Sequence, residues 1–177
     1  MIIGLDLSIN STGVCIRDEE RVEYFIIVPK LSKRMKAING MKSCSISHIT
    51  YDKIKDNVSH NIRCISEKIC DIIKDFGVDK IDGVVIEDVA LRAKGRSIID
   101  LTLLNGYVRC MLDGLGVEYK TMPPTAWKKE MIGNGMADKE LIIYCWAGLD
   151  PDNCRHMMDM NCKCDDVADA YFLSCMW

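Results

Sequence analysis

Two acidic side chains lie in segments that otherwise have the composition of buried β-strands. Asp6 interrupts the apolar run IGLDL near the start of the chain, and Glu87 follows the β-branched run VVI. An ionised carboxylate that is buried alone is costly, so each of these two needs a cation or a bound metal as its partner. Asp166 and Asp169 are three residues apart, which places both on one face of a helix. Two strands and one helix could therefore bring four carboxylates to one point.

Such a set of carboxylates predicts metal-dependent phosphodiester chemistry. Carboxylate oxygens on rigid elements suit Mg²⁺ or Mn²⁺, which keep several waters and bridge to phosphate. Two such ions about 4 Å apart activate a water and stabilise the leaving oxygen in phosphodiester cleavage. The residues by themselves thus favour a nuclease. Each acid also has a simpler explanation, because Asp6 could pair with an arginine, and Asp165 and Asp166 could cap or begin a helix.

The elements that would position these acids follow an α/β pattern. Apolar periodicity and turn residues predict five strands, at residues 1–9, 14–18, 21–30, 81–89 and 117–122. They predict helices at about 51–76, 96–114, 123–132, 137–148 and 165–177. The first three strands have short connections, which favours an antiparallel meander. The later strands alternate with helices, so the whole pattern predicts a mixed sheet in an α/β domain.

Length and charge limit the remaining possibilities. A chain of 177 residues suits one domain, so we expect a single domain over 1–177. No run of 18 or more apolar residues and no secretion signal is found, so no membrane contact is expected. The net charge of −3 does not indicate a nucleic-acid-binding protein. Residues 30–50, however, contain five basic residues and no acid, and are predicted to form a loop that is either solvated or in contact with DNA.

The ten cysteines are scattered along the chain, and we expect reduced thiols because no secretory signal precedes them. One cluster contains four residues of zinc-ligand type, at Cys154, His156, Cys162 and Cys164. Their spacing is tighter than the usual gaps of two to four residues. Two interpretations stay open, a structural zinc site and ordinary thiols near a loop.

Four motifs occur together in the order and approximate spacing of a known nuclease family. They are IGLDLSINSTGV, VVIEDVALRAKG, PPTAWKKEMIGNGMADKE and DDVADA. With these motifs the chain resembles the RuvC-like Holliday junction resolvases of the RNase H-like superfamily, and it is most similar to their phage and viral forms. The resemblance extends from residue 2 to about 172. It implies an RNase H-like fold, with a five-stranded mixed sheet flanked by helices, and a location in the bacterial or host-cell cytoplasm.

The resemblance also implies roles for residues of the motifs. It implies four catalytic carboxylates that bind two Mg²⁺ ions, or Mn²⁺ in their place, at Asp6, Glu87, Asp166 and Asp169. It implies two basic residues that contact the scissile phosphate region or support the transition state, at Lys128 and Lys139. The expected reaction is in-line attack of water on phosphorus, which leaves 5′-phosphate and 3′-hydroxyl ends.

Two basic segments are expected to contact the DNA. ALRAKGRS looks like the family's loop that enters the junction, so phosphate contacts are implied for Arg92, Lys94 and Arg96. In the basic tract, DNA contacts are inferred from charge alone for Lys33, Arg34 and Lys36, because the tract is longer and more basic than the family pattern. The implied partner is a four-way junction or another branched DNA. The implied assembly is a homodimer, whose two active sites suit a twofold substrate.

Three other functions fit parts of the pattern. IGLDLSINSTGV also resembles the first phosphate-binding hairpin of the actin and sugar-kinase ATPases, but these need two lobes to enclose ATP and the chain supplies one. An RNA-processing nuclease of the same superfamily, such as the YqgF-like group, is the second. A non-catalytic nucleic-acid-binding protein with this fold is the third. The intact set of four acids argues against the third, and the GNG segment between two lysines fits the junction resolvases better than the second.

Overall fold

A six-stranded mixed sheet forms the centre of the fold in a computed structural model that describes residues 1–30, 46–89, 95–159 and 164–177. The strands are β1 (Ile2–Asp6), β2 (Thr12–Arg17), β3 (Val22–Pro29), β4 (Ile46–Tyr51), β5 (Gly83–Glu87) and β6 (Tyr119–Met122). Their order across the sheet is β4-β3-β2-β1-β5-β6. The first three strands are antiparallel neighbours, whereas β4 runs parallel to β3, β5 to β1, and β6 to β5. The predicted mixed sheet is confirmed, with six strands instead of five.

The additional strand, β4, lies in the tract that was predicted to be a loop. ISHITY pairs in parallel with β3, from Tyr24↔Ile46 to Pro29↔Tyr51. The Tyr51 hydroxyl also donates to the carbonyl oxygen of Ile9 at 2.5 Å, which ties this edge strand to the turn after β1. The loop prediction was therefore wrong for residues 46–50. The sequence signal for a strand is weak there, because β4 is a short edge strand that pairs with one neighbour and follows a basic segment. Residues 31–45 lie outside the described residues.

Six α-helices are described, namely α1 (Val58–Phe76), α2 (Arg96–Leu115), α3 (Pro124–Ile132), α4 (Lys139–Leu149), α5 (Pro151–Asp159) and α6 (Cys164–Ser174). α1 begins later than predicted, because the Asn57 side chain caps it by accepting from the His60 N–H at 3.0 Å. Ile54, which the predicted helix included, is 45% exposed before that cap. α5 occupies a segment that was expected to be near a loop. No helix in the described ranges has both the length and the apolar composition needed to cross a membrane.

The strands divide the core into two layers. Ile3, Leu5 and Val84 pack with α1 and α2 on one face, and Val85 packs with α3, α4 and α6 on the other. Successive side chains of a strand point to opposite faces of the sheet. Asp6 and Glu87 therefore share the face of Val85, which α6 covers.

Two glycines allow α6 to lie directly on the strands. A Cβ atom at Gly4 would stand 1.9 Å from the carbonyl oxygen of Ala170, and one at Gly13 would stand 2.0 Å from that of Asp166. Any larger residue would force the helix away from the sheet. Gly13 pairs with Asp6 across β1 and β2, so the same close approach brings the first turns of α6 to Asp6.

Candidate active site

Four carboxylates lie within electrostatic reach of one another where β1 and β5 end. Asp6 is the last residue of β1 and Glu87 the last of β5, and the parallel register pairs Leu5 with Ile86, the residues just before them. α6 crosses this edge with Asp166 and Asp169. Asp6 interacts electrostatically with Glu87 and with both aspartates of α6. The four acids that the sequence predicted are thus brought together, and we call them the carboxylate cluster.

The cluster holds more negative charge than its surroundings balance. Burial is the largest cause that raises the pKa of Asp6 well above its usual value, and the charges of the neighbouring acids raise it further. Burial and the charge of Glu87 raise the pKa of Asp169 from 3.8 to about 7, although Lys128 acts in the opposite direction. A bound cation would remove this penalty, since an opposite charge favours the ionised form.

The donor chemistry of the cluster fits Mg²⁺. The Oδ1 atom of Asp169 is buried and has no hydrogen-bond partner among the described residues. Within the described part of the chain, no three His, Cys, Asp or Glu side chains are gathered closely enough to hold an ion by themselves. Mg²⁺ does not require such a cage, because it keeps several waters and binds through one or two carboxylates and the phosphates of its substrate.

Glu87 is fixed by contacts from two helices. Its Oε1 atom accepts a hydrogen bond of 2.9 Å from the indole Nε1 of Trp127 on α3. Its backbone carbonyl oxygen accepts one of 3.1 Å from Nδ2 of Asn105 on α2. Arg109, one turn further along α2, holds the amide of Asn105 through a bond of 2.7 Å. Burial raises the pKa of Glu87, and the bond from Trp127 and the charge of Lys128 act against it.

The two predicted lysines lie beside the cluster. Lys128 stands over the ring of Trp127, with Nζ 5.4 Å from the ring centroid, and its charge lowers the pKa values of Glu87 and Asp169. Lys139 begins α4 and forms an ion pair with Asp165, which raises the pKa of the lysine. Both lysines thus interact with acids of the site rather than with solvent alone.

The GNG segment brings these lysines to the same side of the molecule. Gly133 ends α3 in the left-handed conformation, with φ of 82°. A Cβ atom at Gly135 would stand 2.8 Å from the carbonyl oxygen of Thr125, so the segment folds back closely onto α3. Asp138 then caps α4 by accepting from the Leu141 N–H at 2.9 Å. α3 ends at this turn and α4 begins after it, so Lys128 precedes the turn and Lys139 follows it.

Sequence reasoning missed two contacts within the site. Trp127 was included in a motif only as a helical residue, and Asp165 was considered only as a helix-start residue. A tryptophan in a short helix is usually a core residue, and nothing in the local sequence points to a carboxylate 40 positions earlier. The pairing of Lys139 with Asp165 likewise spans 26 positions. Both contacts depend on tertiary packing.

Several predicted DNA contacts fall where the structure gives no side chain. Arg92 and Lys94 lie outside the described residues, as does the group Lys33, Arg34 and Lys36. Arg96 is the first residue of α2, and its side chain also lies outside the described part. These assignments remain predictions.

The predicted zinc cluster is described only in its first half. Cys154 is 2% exposed within the core, and His156 follows two residues later on the same helix, α5. Side chains two apart on a helix point in different directions. Cys162 and the Cys164 side chain lie outside the described residues. The zinc site stays a prediction.

A groove of about 480 Å³ begins at the residues that follow Asp6. Leu7, Ser8 and Asn10 line one side, and Lys53 and Lys55 line the other. Lys53 donates to the Asn10 side-chain oxygen at 2.6 Å, which joins the two sides. Asp56 and Asp100 also line the groove, so its acidic and basic side chains balance.

The fold is similar to that of RuvC. The structure of Thermus thermophilus RuvC matches with a TM-score of 0.59 and 14% identity, covering 98% of this chain and 90% of that chain. T. thermophilus RuvC in complex with Holliday junction substrate matches with a TM-score of 0.60 and 14% identity, covering 98% of this chain and 89% of that chain. No family model matches the chain, and no curated protein matches it by sequence. The chain therefore has a RuvC-like fold.

Proposed function

We propose that this protein is a metal-dependent endonuclease that resolves four-way (Holliday) junctions, and cuts other branched DNA, by paired nicks. The observation that carries the proposal is the carboxylate cluster, with two lysines beside it, at the edge of a RuvC-like sheet. One of the similar RuvC structures contains a Holliday junction substrate, which supports branched DNA as the substrate class. The proposal includes the phage and viral type, which the resemblance of the four sequence motifs implies.

The carboxylate cluster would hold two divalent cations. When bound, Mg²⁺ would supply an activated water and would offset charge on the phosphate that is attacked. Asp6, Glu87, Asp166 and Asp169 are the residues that would hold the ions, and Mn²⁺ would bind through the same oxygens. Asp169 offers a buried Oδ1 atom with no other hydrogen-bond partner in the described residues, and Glu87 offers the oxygen that Trp127 does not occupy.

The lysines would act on the phosphate rather than on the ions. Lys128 and Lys139 stand beside the acids and carry positive charges that would stabilise the negative charge developing on the phosphate oxygens. The bond to the 3′-oxygen breaks as the water oxygen bonds to phosphorus, which leaves 5′-phosphate and 3′-hydroxyl ends. Asp165 would keep Lys139 near the cluster before DNA arrives.

A homodimer is part of the proposal, because a four-way junction needs two symmetric nicks. α2 supports it with a stripe of exposed apolar side chains one turn apart, at Ile99, Leu103 and Tyr107. These side chains are 58%, 54% and 43% exposed, and a row of that kind on one helix face suits contact with a second copy. Mass measurement in solution of the intact protein and of Leu103→Lys tests this, since the variant should be monomeric.

The test of the activity compares substrates of different shape. Labelled four-way junction, flap, duplex and single-stranded DNA, and a matched RNA hairpin, are incubated with the protein in Mg²⁺ or in EDTA. We expect symmetric nicks in the junction with Mg²⁺, no cutting in EDTA, and retained junction binding without cutting for Asp6→Asn. Cutting confined to RNA would instead favour the RNA-processing alternative. Junction binding without any metal-dependent cutting by the unmodified protein would overturn the proposal.

A further inference from the structure

We propose that Trp127 is a positioning residue that makes the site prefer Mg²⁺ to Ca²⁺, by fixing one carboxylate oxygen of Glu87. This inference rests on the proposed function, because it assumes that the carboxylate cluster binds a divalent cation. It adds a residue outside the four acids and the two lysines. Its role differs from theirs, since Trp127 acts on the ion only through Glu87.

Trp127 is fixed by contacts to α6 and to β5. Its side chain is fully buried, and its ring stacks on Phe172 with centroids 6.0 Å apart and an interplanar angle of 17°. Phe172 follows Asp169 by three residues, so both lie on the same face of α6. The indole is therefore placed by the helix that carries two of the acids, and its N–H is placed against a third acid on β5.

The hydrogen bond takes up one lone pair of Oε1, which leaves Oε2 as the freer oxygen for a cation. Nε1 of Trp127 donates to Oε1 at 2.9 Å. The backbone of Glu87 is fixed at the same time by Asn105, at 3.1 Å from the carbonyl oxygen. Because backbone and side chain are both held, the carboxylate cannot turn freely to present two oxygens to one ion.

This restriction distinguishes the two cations. Mg²⁺ demands a compact octahedral shell and accepts a single oxygen from each carboxylate, whereas Ca²⁺ takes six to eight oxygens and commonly binds a carboxylate through both. A Glu87 that presents Oε2 more readily than Oε1 therefore suits Mg²⁺ better. Groups that orient a metal ligand typically change metal affinity by about 10- to 100-fold when they are removed.

The test uses the full chain without DNA and measures binding of MgCl₂ and of CaCl₂ to the intact protein and to Trp127→Phe. The phenylalanine keeps an aromatic ring against Phe172 and removes only the donor. We expect the ratio of the Ca²⁺ to the Mg²⁺ dissociation constant to fall about tenfold in the variant. The matched control is Trp146→Phe, because Trp146 is equally buried and its Nε1 donates to the Tyr24 hydroxyl at 3.2 Å instead. The control should keep the ratio of the intact protein.

A second measurement does not depend on a folded Trp127 variant. In the intact protein, the indole N–H resonance of Trp127, assigned by elimination with Trp146→Phe and Trp177→Phe, should shift as MgCl₂ is added. The resonance of Trp146 should stay unchanged. A selectivity ratio in Trp127→Phe equal to that of the intact protein, or an indole resonance that ignores bound Mg²⁺, would overturn this inference alone. Failure of the intact protein to bind Mg²⁺ at all would instead overturn the proposed function.

Discussion

Two buried tryptophans on the same face of the sheet each donate a hydrogen bond to a polar side chain. One acceptor belongs to a cluster of acids that repel one another, and the other belongs to a network whose donors and acceptors match. Trp127 donates to Glu87 within the carboxylate cluster. Trp146 donates to the hydroxyl of Tyr24, which in turn donates to Oδ2 of Asp150 at 2.7 Å. We call the second set, with the amide of Asn153, the Asp150 network.

The Asp150 network is closed. Nδ2 of Asn153 donates to Oδ1 at 3.1 Å and lies 3.0 Å from Oδ2, so both oxygens of Asp150 have donors. The rings of Tyr24 and Trp146 pack edge to face with centroids 5.7 Å apart. Because donors match acceptors, this network can hold α4 and α5 against β3 without a ligand.

The carboxylate cluster is open by comparison. Its acids repel one another, and a buried oxygen of Asp169 has no hydrogen-bond partner in the described residues. Buried polar groups are normally satisfied, so an excess of acceptors here is what the proposed cation site requires. The comparison therefore separates a carboxylate that stabilises the fold from carboxylates that lower its stability in return for function.

The largest effect is expected when one carboxylate is replaced by an amide, and the same replacement in the Asp150 network serves as the comparison. Asp169→Asn should lower junction cutting by about 10³-fold or more, because it removes a metal ligand. Asp150→Asn should leave the cutting rate within about threefold and lower the free energy of unfolding by about 1 kcal/mol, because it disturbs a partly buried hydrogen bond. Cleavage assays and denaturant unfolding of both variants check this. Equal loss of cutting in the two would remove the distinction between the regions.

The next largest effect concerns Lys128, one of the two lysines beside the cluster. Lys128→Ala should lower the single-turnover cutting rate by about 10²-fold with little change in junction affinity, because its charge acts mainly in the transition state. Lys129→Ala is the matched control, since Lys129 is the adjacent residue and is exposed. Its variant should cut at the rate of the intact protein. A loss of affinity with an unchanged rate in Lys128→Ala would assign that lysine to DNA binding instead.

A smaller effect is expected in the pH dependence of stability. Asp169 has a folded-state pKa of about 7 against 3.8 for the free group. Between these values the folded protein retains a proton that the unfolded chain has lost, so without divalent metal the free energy of unfolding should fall as pH rises from about 4 to about 7. The size is about 3–4 kcal/mol. Denaturant unfolding in EDTA measures it, and Asp169→Asn should show a flatter profile, as should the intact protein in excess Mg²⁺. A stability that rises over this interval in the intact protein and not in Asp169→Asn would contradict the raised pKa.

The smallest effect is expected at the rim of the cluster. Asp165→Asn removes the partner of Lys139, which is largely exposed, so the free energy of unfolding should change by less than about 1 kcal/mol. The cutting rate should fall only severalfold, because Lys139 keeps its charge and loses only the ion pair that holds it near the cluster. Steady-state cutting and thermal unfolding measure both. A loss as large as that of Asp169→Asn would place Asp165 among the metal ligands.

The sequence anticipated elements whose pattern is local. The apolar runs of β1, β5 and α2 were predicted close to their observed bounds, because strand and helix periodicity can be recognised within ten to twenty residues. β4 was missed because a short edge strand in a polar context has a weak local pattern. The start of α1 was misplaced, because its apolar spacing continues upstream of Asn57 and only the cap ends it.

The same division applies to the site. The sequence by itself predicted the four acids, because carboxylates within apolar strands and an aspartate pair at helical spacing are visible without a structure, and the resemblance of its motifs added the two lysines. Only the tertiary structure decided that Gly4 and Gly13 seat α6 on the sheet, that Trp127 fixes Glu87, and that Lys139 pairs with Asp165. These contacts join residues far apart in the chain, and their geometry follows from how helices pack on the sheet rather than from any local pattern.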